Sequence, residues 1–338
     1  MKACIASGGR PNIPTYPGLD KVKYYTSDNI FNLMEFPKKM LVIGSGPIGC
    51  ELGQGFARIG TEVTMISRGS QFLPNDDPQA AAMLQHQMQE DGVTIKFKTS
   101  PEEFFPGNDN KVGVRLSDGQ NYEFDVVLIA TGRRPNVEGM DCEAAGIKYD
   151  QKGIQVNNTL QTTNGDVFAI GDCIDGPKFT HNSDTHARMV IRNALFFGSL
   201  GKDKILLPYC TYTEPEIATV GLNEVLLHKK GIEYDVYSKS FEHMDRAICE
   251  SKNGLYKIYC KKGTDQILGA TLVGGPAGDL ITHVTAAMTN NVSLSKLGVC
   301  VHPYPTYGEA FKGLADQFNR TKLKPSIKTL IRGLLDFK

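Results

Sequence analysis

The sequence predicts an α/β fold in which a βαβ unit is inserted into an interrupted domain and an α+β domain closes the chain. Three observations carry this. A short apolar strand, a glycine-rich loop, an amphipathic helix and a second strand follow one another between Met40 and Arg68. A weak internal repeat brackets that unit: Ala6-Ser7-Gly8-Gly9-Arg10-Pro11-Asn12 matches Ala130-Thr131-Gly132-Arg133-Arg134-Pro135-Asn136 at five of seven positions. From about Leu206 the composition turns to alternating stretches and then to helical ones.

At 338 residues, 41% of them apolar and 22% charged, the chain can bury two or three cores. Lys plus Arg equals Asp plus Glu at 37 each, so overall charge gives no reason to expect nucleic acid or an anionic membrane as partner. No uncharged apolar run nears the roughly 18 to 20 residues that span a bilayer, and no signal-peptide pattern follows Met1, which points to the cytoplasm, with an organellar targeting segment missing from the N-terminus as the alternative. The eight cysteines show no CxxC or metal-knuckle spacing. They read as free thiols in a reducing compartment, and no metal site is expected.

In order along the chain, Met40-Leu41-Val42-Ile43 is a continuous apolar run, as in a strand buried on both sheet faces. Ile48, Leu52, Phe56 and Ile59 then recur at helical spacing on one face, Gly60 stops the helix, and Glu62 to Ser67 reads as the next strand. Val93 to Lys98, Lys111 to Leu116 and Tyr122 to Ile129 read as three strands of an antiparallel insertion. The repeat copies suggest a chain that leaves one domain and later returns, making 36–128 an inserted domain and 129–204 the resumed one. In the domain from 205 to 338, Tyr234 to Phe241, Leu255 to Lys261 and Ile267 to Val273 alternate, while Gly278 to Met288 and Glu309 to Phe318 are helical.

Gly44-Ser45-Gly46-Pro47-Ile48-Gly49 is GxGxxG, a weak signal alone and a strong one between this strand and this helix. The first glycine permits the tight turn, the second lets backbone approach a pyrophosphate, and the third lets helix pack on strand. The helix start offers unpaired N–H groups to the anion. This is a Rossmann-like grip for a nicotinamide dinucleotide. Where an NAD site usually ends its second strand in a carboxylate, this chain has Ser67 and Arg68. A hydroxyl and a guanidinium suit a 2′-phosphate, so NADP(H) is favoured over NAD(H). The alternative is an ordinary exposed Arg68 with NAD(H) still bound.

Together with that loop, Ala130-Thr131-Gly132, Val167-Phe168-Ala169-Ile170-Gly171-Asp172, Thr213-Glu214-Pro215-Glu216 through Val220-Gly221-Leu222, and His302-Pro303 resemble, in order, the pyridine nucleotide-disulfide oxidoreductases. The likeness extends over essentially the whole chain and looks closest to the mercuric reductase-like and glutathione reductase-like branch. It implies that 1–35 and 129–204 belong to an FAD-binding domain and 205–338 to a dimerisation domain that makes a homodimer. It implies that Gly171 and Asp172 close the flavin site, Asp172 accepting from the ribityl hydroxyl, with an Asx turn as the bland reading. Thr131 and Gly132 would lie near both cofactors, and the helix starting near Phe179-Thr180-His181 would point its positive end at the flavin. Glu51 matches a family glutamate beside the nicotinamide, although a first-turn glutamate also suits any helix dipole. His302 and Glu309 match the pair that takes a proton from the partner's dithiol, but their spacing of seven exceeds the family's five because Tyr304-Pro305 looks inserted. The histidines at 86, 186, 228, 243 and 283 read as structural or surface residues.

The resemblance also implies a first half of the FAD domain before Met1, with its own GxGxxG and a CxxxxC pair. Neither is present, so the chain reads as the C-terminal portion of a longer enzyme. Asp336-Phe337-Lys338 lacks the vicinal cysteines of mercuric reductases, which disfavours mercury reduction. The expected activity is hydride transfer from NAD(P)H to FAD and on to a disulfide-type acceptor. The alternatives are a catalytically silent dinucleotide-binding or dimerising protein and a dithiol-free flavin reductase.

Overall fold

The computed structural model describes residues 2–196 and 198–335, so Asp336-Phe337-Lys338 lies outside the described residues. In chain order the elements are β1 (Ala3–Ile5), β2 (Gly9–Pro11), β3 (Lys39–Ile43), α1 (Pro47–Arg58), β4 (Glu62–Ser67), α2 (Pro78–Glu90), β5 (Thr94–Phe97), β6 (Pro101–Pro106), β7 (Val112–Leu116), β8 (Asn121–Phe124) and β9 (Val126–Ile129). Next come β10 (Arg133–Pro135), β11 (Tyr149–Asp150), β12 (Gly153–Ile154), β13 (Val167–Ala169) and α3 (Thr180–Leu195). The last part holds β14 (Tyr209–Thr211), β15 (Ile217–Gly221), α4 (Glu224–Lys230), β16 (Tyr234–Ser240), α5 (Asp245–Glu250), β17 (Leu255–Lys261), β18 (Ile267–Val273), α6 (Ala277–Thr289), α7 (Leu294–Leu297), α8 (Glu309–Thr321) and α9 (Pro325–Leu335). The chain divides into one unit of Met1–Phe72 with Met88–Ile205 and a second of Leu73–Gln87 with Leu206–Lys338.

In the first unit, β5-β4-β3-β9 form a parallel sheet. Met40, Leu41 and Val42 are fully buried, as their unbroken apolar run requires. Helix α1 corrects one expectation. Its buried face is Gly49, Cys50, Gly53 and Gln54. The row Ile48, Leu52 and Phe56 is only half-buried, and Ile59 is 65% exposed. The reason is close packing: a Cβ on Gly53 would stand 2.9 Å from the Met65 methyl, so small residues, not large ones, set α1 on the sheet.

The antiparallel insertion is β6-β7-β8, not the three runs expected. Thr94–Phe97 joins the parallel sheet beside β4. The run from Tyr122 to Ile129 breaks in two at Asp125, whose carboxylate accepts from the N–H groups of Lys38 and Lys39 at 2.8 and 2.7 Å. That corner sends β8 into one sheet and β9 into the other.

The two repeat copies pair with each other, β2 antiparallel to β10. Asn12 N–H donates to Gly132 O and Asn136 N–H to Gly8 O, both at 2.9 Å, so equivalent residues make equivalent bonds. Nearby, β1 runs parallel to β13, over a core that includes Phe168, Ala169, Cys173 and Met189.

The second unit is built on the antiparallel sheet β14-β15-β18-β17-β16. Strands and helices expected between Tyr234 and Phe318 stand where the patterning put them. Tyr256, Phe241, Phe311 and Leu314 fill its core with residues of α6 and α8. Leu73–Gln87 belongs to this unit through a buried polar knot. Asp77 caps α2, accepting from Gln79 and Ala80 N–H at 2.9 and 3.1 Å. It is fully buried and ion-pairs with Lys257 at 3.0 Å, with Tyr259 donating to it as well.

Candidate functional site: a glycine loop and its surroundings

β3 delivers the chain into Gly44 at φ +117°, where a Cβ would stand 2.4 Å from Ala130 O. Gly49 is fixed the same way, its Cβ position lying 2.2 Å from Gly44 O. Gly46 differs, because a Cβ there would meet nothing within 4 Å. Gly46 is the N-cap of α1, no side chain caps the helix start, and Pro47 occupies the first turn. The middle glycine therefore opens onto free space at a helix N-terminus, the shape an incoming pyrophosphate needs. At the end of β4, Ser67 receives the Ser45 hydroxyl at 2.9 Å, and Arg68 next to it is exposed. Burial raises the Tyr16 hydroxyl pKa while the Arg68 charge opposes it, so the two lie near each other. Glu51 is half-buried, but α1 has no acidic residue in its first turn, so the helix-dipole reading of Glu51 is corrected.

Asp172 sits in the 3₁₀ turn Gly171–Cys173 after β13. Gly171 has φ +71°, and its Cβ would stand 2.8 Å from the Ser183 hydroxyl, which brings this turn against the start of α3. Thr180 is the first residue of α3, with no side-chain cap from Phe179. Gly132 has φ +103° and open space around its Cβ position. Three further residues, none of them expected at the flavin site and His186 read as structural or surface, also shape this corner. Arg133 pairs through Nε with Asp172 Oδ2 at 3.3 Å and donates to Gly9 O at 2.7 Å. Lys178 donates to Asp172 O at 2.9 Å, its pKa lowered by burial. His186 accepts from Gly171 N–H at 3.4 Å, and burial lowers its pKa too. Their residue types alone carry no positional signal; only the fold brings them together.

In the second unit, His302 lines a cavity of about 360 Å³ with Arg246, Pro276, Leu280, His283 and Tyr307. Its Nε2 is buried without a hydrogen-bond partner among the described residues. Burial lowers the His302 pKa, His283 lowers it further, and Glu309 opposes both. No hydrogen bond joins His302 to Glu309 among the described residues, because Glu309 Oε2 accepts from Thr306 N–H at 3.3 Å instead. Tyr304 donates to Asp245 and Tyr307 to Glu250, each at 2.7 Å, which ties the loop between histidine and glutamate to α5. His283, expected to be merely structural or superficial, shares the cavity. Among the described residues no three metal-ligating side chains cluster, and no helix is long and apolar enough to cross a membrane.

Residues 2–187 match the family model for pyridine nucleotide-disulphide oxidoreductases, and residues 207–315 match that family's dimerisation domain. The chain belongs to the pyridine nucleotide-disulphide oxidoreductase family. It is 33% identical over 326 residues to a mercuric reductase of Staphylococcus aureus, covering 95% of this chain and 60% of that protein. It is 34% identical over 293 residues to a dihydrolipoyl dehydrogenase of Thermus scotoductus, covering 84% of this chain and 62% of the relative. Among solved structures it superposes on the HOCl-induced flavoprotein disulfide reductase RclA of Escherichia coli with a TM-score of 0.87 and 28% identity, over 93% of this chain and 73% of that one. The chain thus spans about 60% of the length of the curated relatives it matches. Membership in this oxidoreductase family accords with the α/β fold and the closing α+β domain.

Proposed function

We propose that this chain is the nicotinamide-binding, flavin-contacting and dimerising part of an FAD- and NAD(P)H-dependent oxidoreductase, with NADP(H) favoured over NAD(H). The observation that carries this reading is the loop from Gly44 to Gly49, in which two glycines are locked by backbone contact and Gly46 opens onto an uncapped helix start. Bound there, the nicotinamide would supply a hydride and the flavin would carry its electron pair on to a disulfide-type acceptor.

The roles of this chain's residues follow from their chemistry. Ile48 and Gly49 turn their N–H groups to the pyrophosphate, and Pro47 starts the helix with no N–H to leave unpaired. Ser67 and Arg68 take the 2′-phosphate, and Glu51 lies toward the nicotinamide. Thr131, Gly132, Gly171, Asp172 and Thr180 contact the flavin, with Arg133 holding Asp172 in place. His302, its Nε2 orphaned, takes a proton from a thiol, and Glu309 acts on it by charge across space. The domain divisions fall at 36, 129 and 205, and residues 205–338 join two copies into a homodimer. The free cysteines favour a reducing, cytoplasmic setting.

A catalytically silent binding protein is the second reading. It is favoured by the absence of a His302–Glu309 bond among the described residues. Absorbance of the purified protein separates the two. A flavin band bleached by NADPH supports the enzyme; a colourless protein that still binds NADPH supports the silent one.

A further inference from the structure

The zero net charge of the chain conceals an uneven end. Between Asp316 and Asp336 there is no acidic residue, while Arg320, Lys322, Lys324, Lys328 and Arg332 are basic. Within this stretch lies α9, Pro325–Leu335. Ile327 and Ile331 are each 41% exposed and Leu335 is 66% exposed, with Leu323 at 41% just before the helix. Their spacing of four puts Ile327, Ile331 and Leu335 in one row along α9. Lys328 and Arg332, both exposed, form a parallel row one residue on. Every residue of α9 with a described side chain is exposed, and a Cβ on Gly333 would touch nothing within 4 Å. Among the residues of α9 whose side chains are described none is buried, and an eleven-residue helix with an interior glycine is marginal in water on its own. It needs an apolar partner that also accepts a basic flank.

We propose that α9 is an interfacial anchor that lies on an anionic lipid bilayer, with Ile327, Ile331 and Leu335 at the acyl boundary and Lys328 and Arg332 among the headgroups. The charge favours this occupant over a second copy. Two such helices set face to face would bring only like charges together, and α9 lies beyond residues 207–315, which match the family's dimerisation domain. It is an extended row of apolar side chains rather than a cavity, which suits a fluid surface.

The test uses the whole protein with vesicles of phosphatidylcholine alone and of phosphatidylcholine with phosphatidylserine. The expected result is co-sedimentation with the anionic vesicles only, reduced by added salt. Replacing the basic row by Lys328→Ala with Arg332→Ala lowers that binding about thirtyfold, and Ile327→Asp with Ile331→Asp abolishes it. Light scattering after size exclusion then reports the oligomeric state of each variant, which stays that of the parent. The proposal is overturned by equal binding to both vesicle types or by none, and by aspartate variants that bind as the parent does. It is equally overturned if the aspartate variants dissociate the oligomer, since the row would then cover a second copy.

Discussion

Ser45 and Ser67, 22 residues apart in sequence, are joined by a hydrogen bond of 2.9 Å between their hydroxyls. The bond ties the glycine loop to the end of β4, and Ser67 Oγ also accepts from Gly69 N–H at 3.2 Å. The residue expected to select the cofactor is thus hydrogen-bonded to the glycine loop, and Arg68 follows it in sequence.

Arg68→Ala is expected to weaken NADPH by about 1.5 to 3 kcal/mol, the worth of a charge-assisted hydrogen bond, and to leave NADH almost unchanged. Fluorescence titration with both nucleotides measures it. Equal losses for the two remove the NADP assignment.

The glycines of the loop are expected to fail in different ways. Gly49→Ala drives a Cβ to 2.2 Å from Gly44 O and costs about 1 to 3 kcal/mol in urea unfolding. Gly46→Ala meets open space, so it keeps stability within roughly 0.5 kcal/mol while weakening dinucleotide binding. A Gly46→Ala protein that binds NADPH like the parent would place the nucleotide elsewhere.

Asp77→Ala leaves the buried Lys257, at 8% exposure, with only the longer pair to Glu224 at 3.5 Å, and is expected to cost about 3 to 5 kcal/mol. Burial pushes the Asp77 pKa up, but the Tyr259 hydroxyl and Lys257 outweigh it and hold the carboxylate ionised. Asp77→Leu combined with Lys257→Met recovers most of the loss. Chemical denaturation of all three proteins checks this, and a harmless Asp77→Ala is the contrary result.

Its neighbour Asp76 behaves oppositely. Burial raises its pKa to about 6, against the opposing Tyr209 hydroxyl, and Oδ1 has no hydrogen-bond partner among the described residues. The folded chain then holds this proton more tightly than the unfolded one, so stability falls as pH rises from about 4 to about 6. Asp76→Asn removes that loss. It is expected to gain about 2 to 3 kcal/mol at pH 7, shrinking to nothing below about pH 4. A gain that grows on acidification would reverse the sign and refute the account.

The His302 pKa is lowered by burial first and by His283 second. His283→Ala is therefore expected to raise the His302 titration midpoint, followed by the ring proton signals in NMR. An unchanged or lower midpoint denies the coupling.

The fold was legible wherever local pattern and tertiary burial agree. The run Met40–Ile43 is a buried strand because nothing polar interrupts it, and the alternating stretches of the last domain become β16, β17 and β18. Legibility failed where a single side chain redirects the backbone or where small residues pack. Asp125 splits one apolar run between two sheets. Gly49 and Gly53 put α1 on its sheet, so the larger apolar residues that define its pattern do not define its buried face. Net charge likewise hid the basic, apolar α9, because a sum over the chain erases a local excess.

The sequence by itself determined the glycine loop: Gly44 and Gly49 stand where a Cβ would collide with backbone, Gly46 lies between them at the helix start, and order along the chain names the strand and helix around them. It also determined the family, because separated short motifs kept their order. Only the tertiary structure decided which partners the polar groups find. It set Ser45 on Ser67, Arg133 on Asp172 and Asp77 on Lys257, and it left His302 without Glu309. Hydrogen bonds and ion pairs reach only about 3 Å, so they depend on distances that chain spacing does not encode.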